Sequence, residues 1–355
     1  MKTVDYPKTM TAAVLWKTGK PLSIEEGIEI PRLERGQVLV KMSYSGVCRS
    51  QLMEVRGKRG KDKFLPHLLG HEGSGKVISV GPGVTKVSEG NWVILGWIKG
   101  KGKDVKGAKY NLGDQVINSG PVTTFSTYSI VSENRVVILP EYIPKDLAVL
   151  FGCALPTGSG ILINEIKPRK NSKLAFVGLG GIGLSSLMAS SIFECEEIIA
   201  IDVSEDKLKL AKKFGATHTI NASRENVTKR VEKITNGNGV DYSIEAGGSI
   251  ETIEMAFEIL KINGGQCVFA SHPEEGEKIS LDPFDLISGK NIRGSWGGKS
   301  NPDKDIPKLA NLYKRGLIPL EKLIKKRYKL EEINLALSDI EKKDAFRPLI
   351  VFDES

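Results

Sequence analysis

Two thiols and an imidazole are the side chains in this sequence best suited to chemistry. Cys48 lies in "SGVCRSQL" (45–52), His71 in "LGHEGSG" (69–75) and Cys153 in "FGCALPTG" (151–158). Each sits at a turn or the end of an apolar run, where a side chain is free to converge on others. Two thiolates and one imidazole are a known catalytic zinc set that leaves a fourth position open. Separations of 23 and 82 residues exclude a local zinc knot and require assembly by tertiary folding. Taken singly, Cys48 also reads as a small core residue. His67 competes as a ligand, but Pro66 and Gly70 interrupt the helix that would put His67 and His71 on one face. Cys195 in "FECEEI" and Cys267 in "QCVFAS" read as structural.

A second chemistry resides in backbone rather than side chains. "VGLGGIGLSS" (177–186) places Gly178, Gly180 and Gly183 in the pattern G-x-G-x-x-G, with Gly181 inside it. The motif follows a β run and opens a helical one. The first glycine permits the tight turn, the second lets the backbone approach a pyrophosphate, and the third allows helix–strand contact. The helix N-terminus then offers N–H groups and partial positive charge to phosphate. Asp202 closes the next apolar strand, where a carboxylate accepts from both ribose hydroxyls and repels a 2′-phosphate, so NAD is expected over NADP. Lys207 offers a further donor near that ribose, or is plain surface.

The elements that must position these residues fall into two regimes. Up to about residue 150, short apolar runs such as 10–16, 37–44, 75–81 and 91–97 are separated by Gly, Pro and charged turns, which reads as a twisted β domain. The Lys- and Gly-rich stretch 99–120 reads as an exposed excursion with little core of its own. From 172 onward, strands and helices alternate. Candidate strands at 173–178, 197–202, 218–221, 241–246, 266–271 and 291–296 predict a doubly wound, six-stranded parallel sheet, an α/β fold. Ser204 is read as an N-cap and Gly215 as a stop for the helix between them. A helical tail ends in one more strand, "FRPLIVF" (346–352).

With 355 residues, 40% hydrophobic and 26% charged, the chain has the composition of a water-soluble protein of two domains. No apolar run reaches the roughly 20 residues a bilayer span needs, so no membrane partner is expected. The start carries no apolar signal segment. Four cysteines without a short spacing exclude a disulfide framework and fit a reducing cytoplasm. The net charge of +8 is spread over lysines, with one dense run at 325–329 and few aromatics between, so no nucleic-acid partner is expected.

Taken together, the chain resembles the medium-chain, zinc-dependent alcohol dehydrogenases over nearly its whole length. "GVCRS", "GHEGSG", "GCALPTG", "VGLGGIG", the Asp202 strand end, "GSWGGKS" and "FRPLIVF" stand in family order. The resemblance implies a GroES-like catalytic domain over 1–154 and 297–355, with a Rossmann domain over 155–296 inserted. It implies Cys48, His71 and Cys153 as ligands of one catalytic zinc, with Glu72 beside it as a transient ligand. It gives Ser50 the first place in a proton relay from a substrate hydroxyl, Thr157 a place near the nicotinamide, and Arg49 and Arg347 the cofactor pyrophosphate. It further implies hydride exchange between NAD(H) and a small alcohol or carbonyl compound, in a dimer or tetramer. A polyol, sugar or sugar-nucleotide dehydrogenase of the same family is the nearest alternative. A zinc-free quinone reductase would lack the ligand set, and an idle dinucleotide-binding protein need not keep it. Three departures stand out. The four clustered cysteines of many members are missing from 97–120, so no structural zinc is expected. Gln51 stands where an Asp often orients the ligand histidine. Met53 stands where a histidine often ends the relay.

Overall fold

The computed structural model describes residues 6–342 and 347–352. The chain divides into two compact units, one comprising residues 1–153, 301–310 and 320–355, the other 154–300 and 311–319.

The first unit is built from β strands. They are Thr9–Leu15 (β1), Ser23–Glu29 (β2), Gln37–Gly46 (β3), His67–Leu68 (β4), Glu72–Val80 (β5), Trp92–Gly96 (β6), Lys109–Leu112 (β7), Gln115–Asn118 (β8), Tyr128–Ser132 (β9) and Val136–Ile138 (β10). Strands β1, β2, β7, β8 and β4 close a small barrel. A second sheet runs β10-β6-β5-β3 and continues through Leu349–Val351 to Arg327–Tyr328, with β9 also on β3. Phe346, the first residue of the expected last strand, lies outside the described residues.

Strand β3 shows how the sequence makes two cores at once. Alternate side chains leave a strand on opposite faces. Val38, Val40 and Met42 therefore enter one apolar cluster, with Val77, Val93 and Leu95. Leu39 enters the other, with Ile28, Tyr110 and Ile117. Both faces are covered, so the run carries almost no polar alternation.

The stretch 99–120 differs from expectation. Its second half is not an exposed excursion but the β7–β8 hairpin, turning at Gly113 and Asp114 and closing the barrel. Lys109 and Asn111 face solvent while Tyr110 and Ile117 are fully buried. One buried side chain per four-residue strand leaves little apolar signal among the lysines and glycines.

The second unit contains the six-stranded parallel sheet. Its strands are Lys173–Val177 (β11), Glu197–Asp202 (β12), His218–Asn221 (β13), Tyr242–Glu245 (β14), Gln266–Phe269 (β15) and Asn291–Gly294 (β16), in the order β13-β12-β11-β14-β15-β16. All six lie within the ranges read from the sequence. Ala175 and Val177 pack in one cluster while Leu174 and Phe176 are buried on the opposite face, as a sheet covered on both sides requires. Residues 297–300 and 311–319 also belong to this unit. Ser300 Oγ donates to the Pro156 carbonyl at 2.7 Å, and Asn164 Nδ2 to the Gly298 carbonyl at 3.2 Å, which ties the segment down.

Candidate active site

Three strands of the first unit bring the reactive side chains to one place. Strands β3 and β5 pair antiparallel with Ser45 opposite Gly73, so Cys48 leaves the sheet just beyond the end of β3 and His71 enters just before β5. Strand β3 also pairs with Leu349–Val351, Leu349 opposite Gly46, which delivers Arg347. A short helical stretch, Leu147–Gly152, ends at Cys153. Gly152 must be glycine, because a Cβ there would stand 2.3 Å from the Leu95 carbonyl oxygen. The donor atoms of Cys48, His71, Glu72 and Cys153 all lie within 4.8 Å of one another.

The charges in this cluster are unevenly shared. A hydrogen bond with Cys153, helped by His71 and Arg347, holds the Cys48 thiol well below its ordinary range against the effect of burial. The same hydrogen bond, together with burial, pushes the Cys153 thiol up. Burial alone would lower the His71 imidazole, but the Cys48 sulfur and Glu72 carry it above its ordinary value. His71 Nε2 lies 3.3 Å from the Cys153 sulfur. Without a further cation only one sulfur ionises readily. A divalent ion would let both do so, and two sulfurs with one imidazole suit zinc.

Glu72 and Arg347 form a buried pair at the back of the cluster. Arg347 Nη1 donates to Glu72 Oε1 at 2.8 Å, and both side chains are almost wholly enclosed. Burial raises the Glu72 carboxyl and Arg347 opposes it. Glu72 Oε2 is buried without a hydrogen-bond partner among the described residues. The resemblance puts Arg347 at a pyrophosphate; in the structure its buried guanidinium is engaged with Glu72 and also faces the Cys48 sulfur.

The first helix, Arg49–Val55 (α1), starts directly after Cys48. Arg49 is exposed at its start. Ser50 Oγ is buried without a partner among the described residues. Gln51 is the residue whose function the sequence left open. Its Nε2 lies against His71 Nδ1, and its Oε1 accepts from the Cys48 backbone N–H at 3.3 Å. Met53 is buried.

His67 stands outside this cluster, its ring engaged with Asp62 and the Leu68 carbonyl. Burial pushes the Cys267 thiol up to about 12 and the Cys195 thiol up to about 11. Neither belongs to a metal-type cluster among the described residues.

In the second unit the glycine turn joins β11 to the helix Gly181–Ala189 (α3), which has no side-chain cap. Gly178 takes φ 86°. A Cβ at Gly183 would stand 1.9 Å from the Gly178 carbonyl oxygen, so only glycine lets the helix close onto the strand. A Cβ at Gly180 would meet nothing nearer than the Ala246 carbonyl at 4.0 Å. That position therefore faces open space of the kind a phosphate would fill. Asp202 Oδ2 accepts from the Leu179 N–H at 2.7 Å and Oδ1 from the Ser204 N–H at 2.9 Å. Each oxygen retains a second lone pair. Lys207 Nζ stands 3.6 Å from Asp202, so it is part of this group rather than plain surface. Thr157, in the helix Ala154–Gly160 (α2), is buried with its hydroxyl unpartnered among the described residues.

Comparison with known proteins bears on both units. The family model described as alcohol dehydrogenase GroES-like domain matches residues 34–141, and that described as zinc-binding dehydrogenase matches 181–315. Alcohol dehydrogenase 2 of Zea mays is 30% identical over 97% of this chain and 97% of its own. S-(hydroxymethyl)glutathione dehydrogenase of Paracoccus denitrificans is 29% identical over 96% of this chain and 99% of its own. Among solved structures, benzyl alcohol dehydrogenase from Acinetobacter calcoaceticus superposes with a TM-score of 0.88 at 31% identity, covering 98% of this chain and 100% of that one.

Proposed function

Since the chain belongs to the zinc-dependent medium-chain alcohol dehydrogenase family, we propose that Cys48, His71 and Cys153 hold its one zinc ion and that Glu72 stands by as a transient ligand. The protein is an oxidoreductase of the NAD-dependent zinc alcohol dehydrogenase type, with a GroES-like and a Rossmann-like domain. The observation that carries the site assignment is the convergence of two sulfurs, an imidazole and a half-paired carboxylate within 4.8 Å. We assign the catalytic part to the first unit and the nucleotide part to the second.

When bound, zinc supplies Lewis acidity toward a hydroxyl or carbonyl oxygen, and the nicotinamide supplies the hydride acceptor or donor. The chain's own residues do the rest. The Ser50 hydroxyl, buried and unpartnered, takes up the proton that a substrate hydroxyl gives off. Met53 carries no transferable proton, so the onward path would run through water or the cofactor ribose. His71 can offer Nε2 to an ion only with its proton on Nδ1, so the Gln51 amide must then present its oxygen. Half a turn of that amide does this, at the expense of the Cys48 N–H contact. Arg347 holds one Glu72 oxygen at 2.8 Å and opposes the effect of burial on that carboxyl, while Oε2 is left free to meet an ion. Asp202 and Lys207 would bind the adenosine ribose and Gly178, Gly180, Gly181 and Gly183 the pyrophosphate; Arg49 and Arg347 are assigned as its cations and Thr157 to the nicotinamide.

The substrate is a small alcohol or carbonyl compound, with a polyol or sugar as the narrower alternative. Four free cysteines fit a cytoplasmic setting. An edge strand β16 beside exposed Phe284, Ile287 and Trp296 supports a homo-oligomer, a dimer or tetramer. No described helix is long and apolar enough to cross a membrane.

The test follows NADH absorbance over a panel of alcohols, polyols and sugars, with NADP as the competing cofactor. Activity with NAD on at least one hydroxyl compound is expected. Cys48→Ser should remove several kcal/mol of transition-state stabilisation, on the order of 1,000-fold in rate. Unchanged turnover in Cys48→Ser overturns the assignment.

A further inference from the structure

We propose that Glu54, Asp62 and His67 form a second divalent-metal site, built from nitrogen and oxygen donors and distinct from the sulfur cluster. Glu54 lies on α1, Asp62 in the following loop and His67 in β4. Their donor atoms all lie within 4.8 Å of one another.

The histidine makes the case. His67 is 6% exposed, and its Nδ1 lies 3.0 Å from the Leu68 carbonyl oxygen. A carbonyl only accepts, so Nδ1 carries the proton. The Nε2 of a neutral ring then presents a lone pair, and it faces Asp62 Oδ2 at 2.8 Å. Two electron pairs point at each other with a second carboxylate alongside. Such an arrangement needs an electrophile, and three converging donors favour a metal ion over a single proton. The other Asp62 oxygen is already engaged, accepting from the Phe64 N–H at 2.8 Å, which fixes the carboxylate's orientation. Burial, with the Asp62 charge beside it, raises the Glu54 carboxyl above its ordinary value.

The geometry narrows the ion. Two donors 2.8 Å apart, each about 2.1 Å from a common ion, subtend about 85°. That angle belongs to six-coordinate rather than tetrahedral geometry, with water in the remaining positions. One nitrogen and two carboxylates suit a borderline first-row divalent ion. Such an ion would tie α1, which follows Cys48, to β4, which precedes His71. It would brace the segment joining two ligands of the sulfur cluster without touching either.

Cobalt titration of the metal-stripped full-length protein tests this. The wild type is expected to bind two equivalents, the first with thiolate-to-cobalt charge-transfer absorption and the second without it. His67→Gln and Glu54→Gln should each keep the first and lose the second. Cys48→Ser should weaken the charge-transfer band, since only the Cys153 sulfur remains, and keep the second equivalent, so failure at one site is told apart from failure at the other. Glu54→Gln changes a partly exposed helix residue and keeps its shape, so folding is preserved there. A wild type that binds a single equivalent, or a second equivalent that survives in both Gln variants, overturns the proposal.

Discussion

The sulfur cluster and the glycine turn are suited to holding a ligand in opposite ways. The cluster is made of side chains from positions 48, 71 and 153, which only a finished sheet brings together. The turn is made of backbone over 178–183, closed by one carboxylate at 202. In a side-chain site each charge depends on its neighbours, as with the Cys48 thiol held down and the Cys153 thiol pushed up by their shared hydrogen bond. A backbone site has no such coupling. It gains shape, because missing Cβ atoms leave room for phosphate and let the helix approach. Substitutions should therefore act on charge and metal in one region, and on fit and cofactor choice in the other.

The comparison breaks most visibly at Gln51. If Gln51 sets the orientation of His71, Gln51→Leu should weaken zinc affinity by about 10–100-fold, measured by competition with a chromophoric chelator, while KM for NAD stays the same. An unchanged affinity would mean that the ring is held by its sulfur neighbours alone. The smaller effect lies at Asp202. Asp202→Asn removes the charge that repels a 2′-phosphate, so the NADP/NAD ratio of kcat/KM should rise on the order of tenfold, with zinc content unaltered. A fall in both cofactors together would show that the bonds to Leu179 and Ser204 are the main role of this carboxylate.

The two regions were also unequally legible. The parallel sheet and its turn could be read directly, because β11 and β12 are continuous apolar runs and the motif is local. The cluster could not be read from spacing alone, since nothing near Cys48 points to Cys153; order of motifs across the family supplied it. The hairpin at 109–118 was misread because Tyr110 and Ile117 are isolated among lysines and glycines. The tie between Arg347 and Glu72 depends on strand pairing between residues about 300 apart, through Gly46 and Leu349. The same holds for Glu54, Asp62 and His67. Glu54 and Asp62 are ordinary surface-type residues in the sequence, and only the path of the chain from α1 to β4 brings them to His67.

On the assignment proposed above, two sulfurs and one imidazole of the first unit share a single zinc ion. Zinc X-ray absorption on protein carrying one equivalent tests it most directly. Two sulfur neighbours at about 2.3 Å and nitrogen or oxygen neighbours at about 2.0–2.1 Å are expected, with one sulfur lost in Cys48→Ser. A first shell of nitrogen and oxygen alone would contradict it.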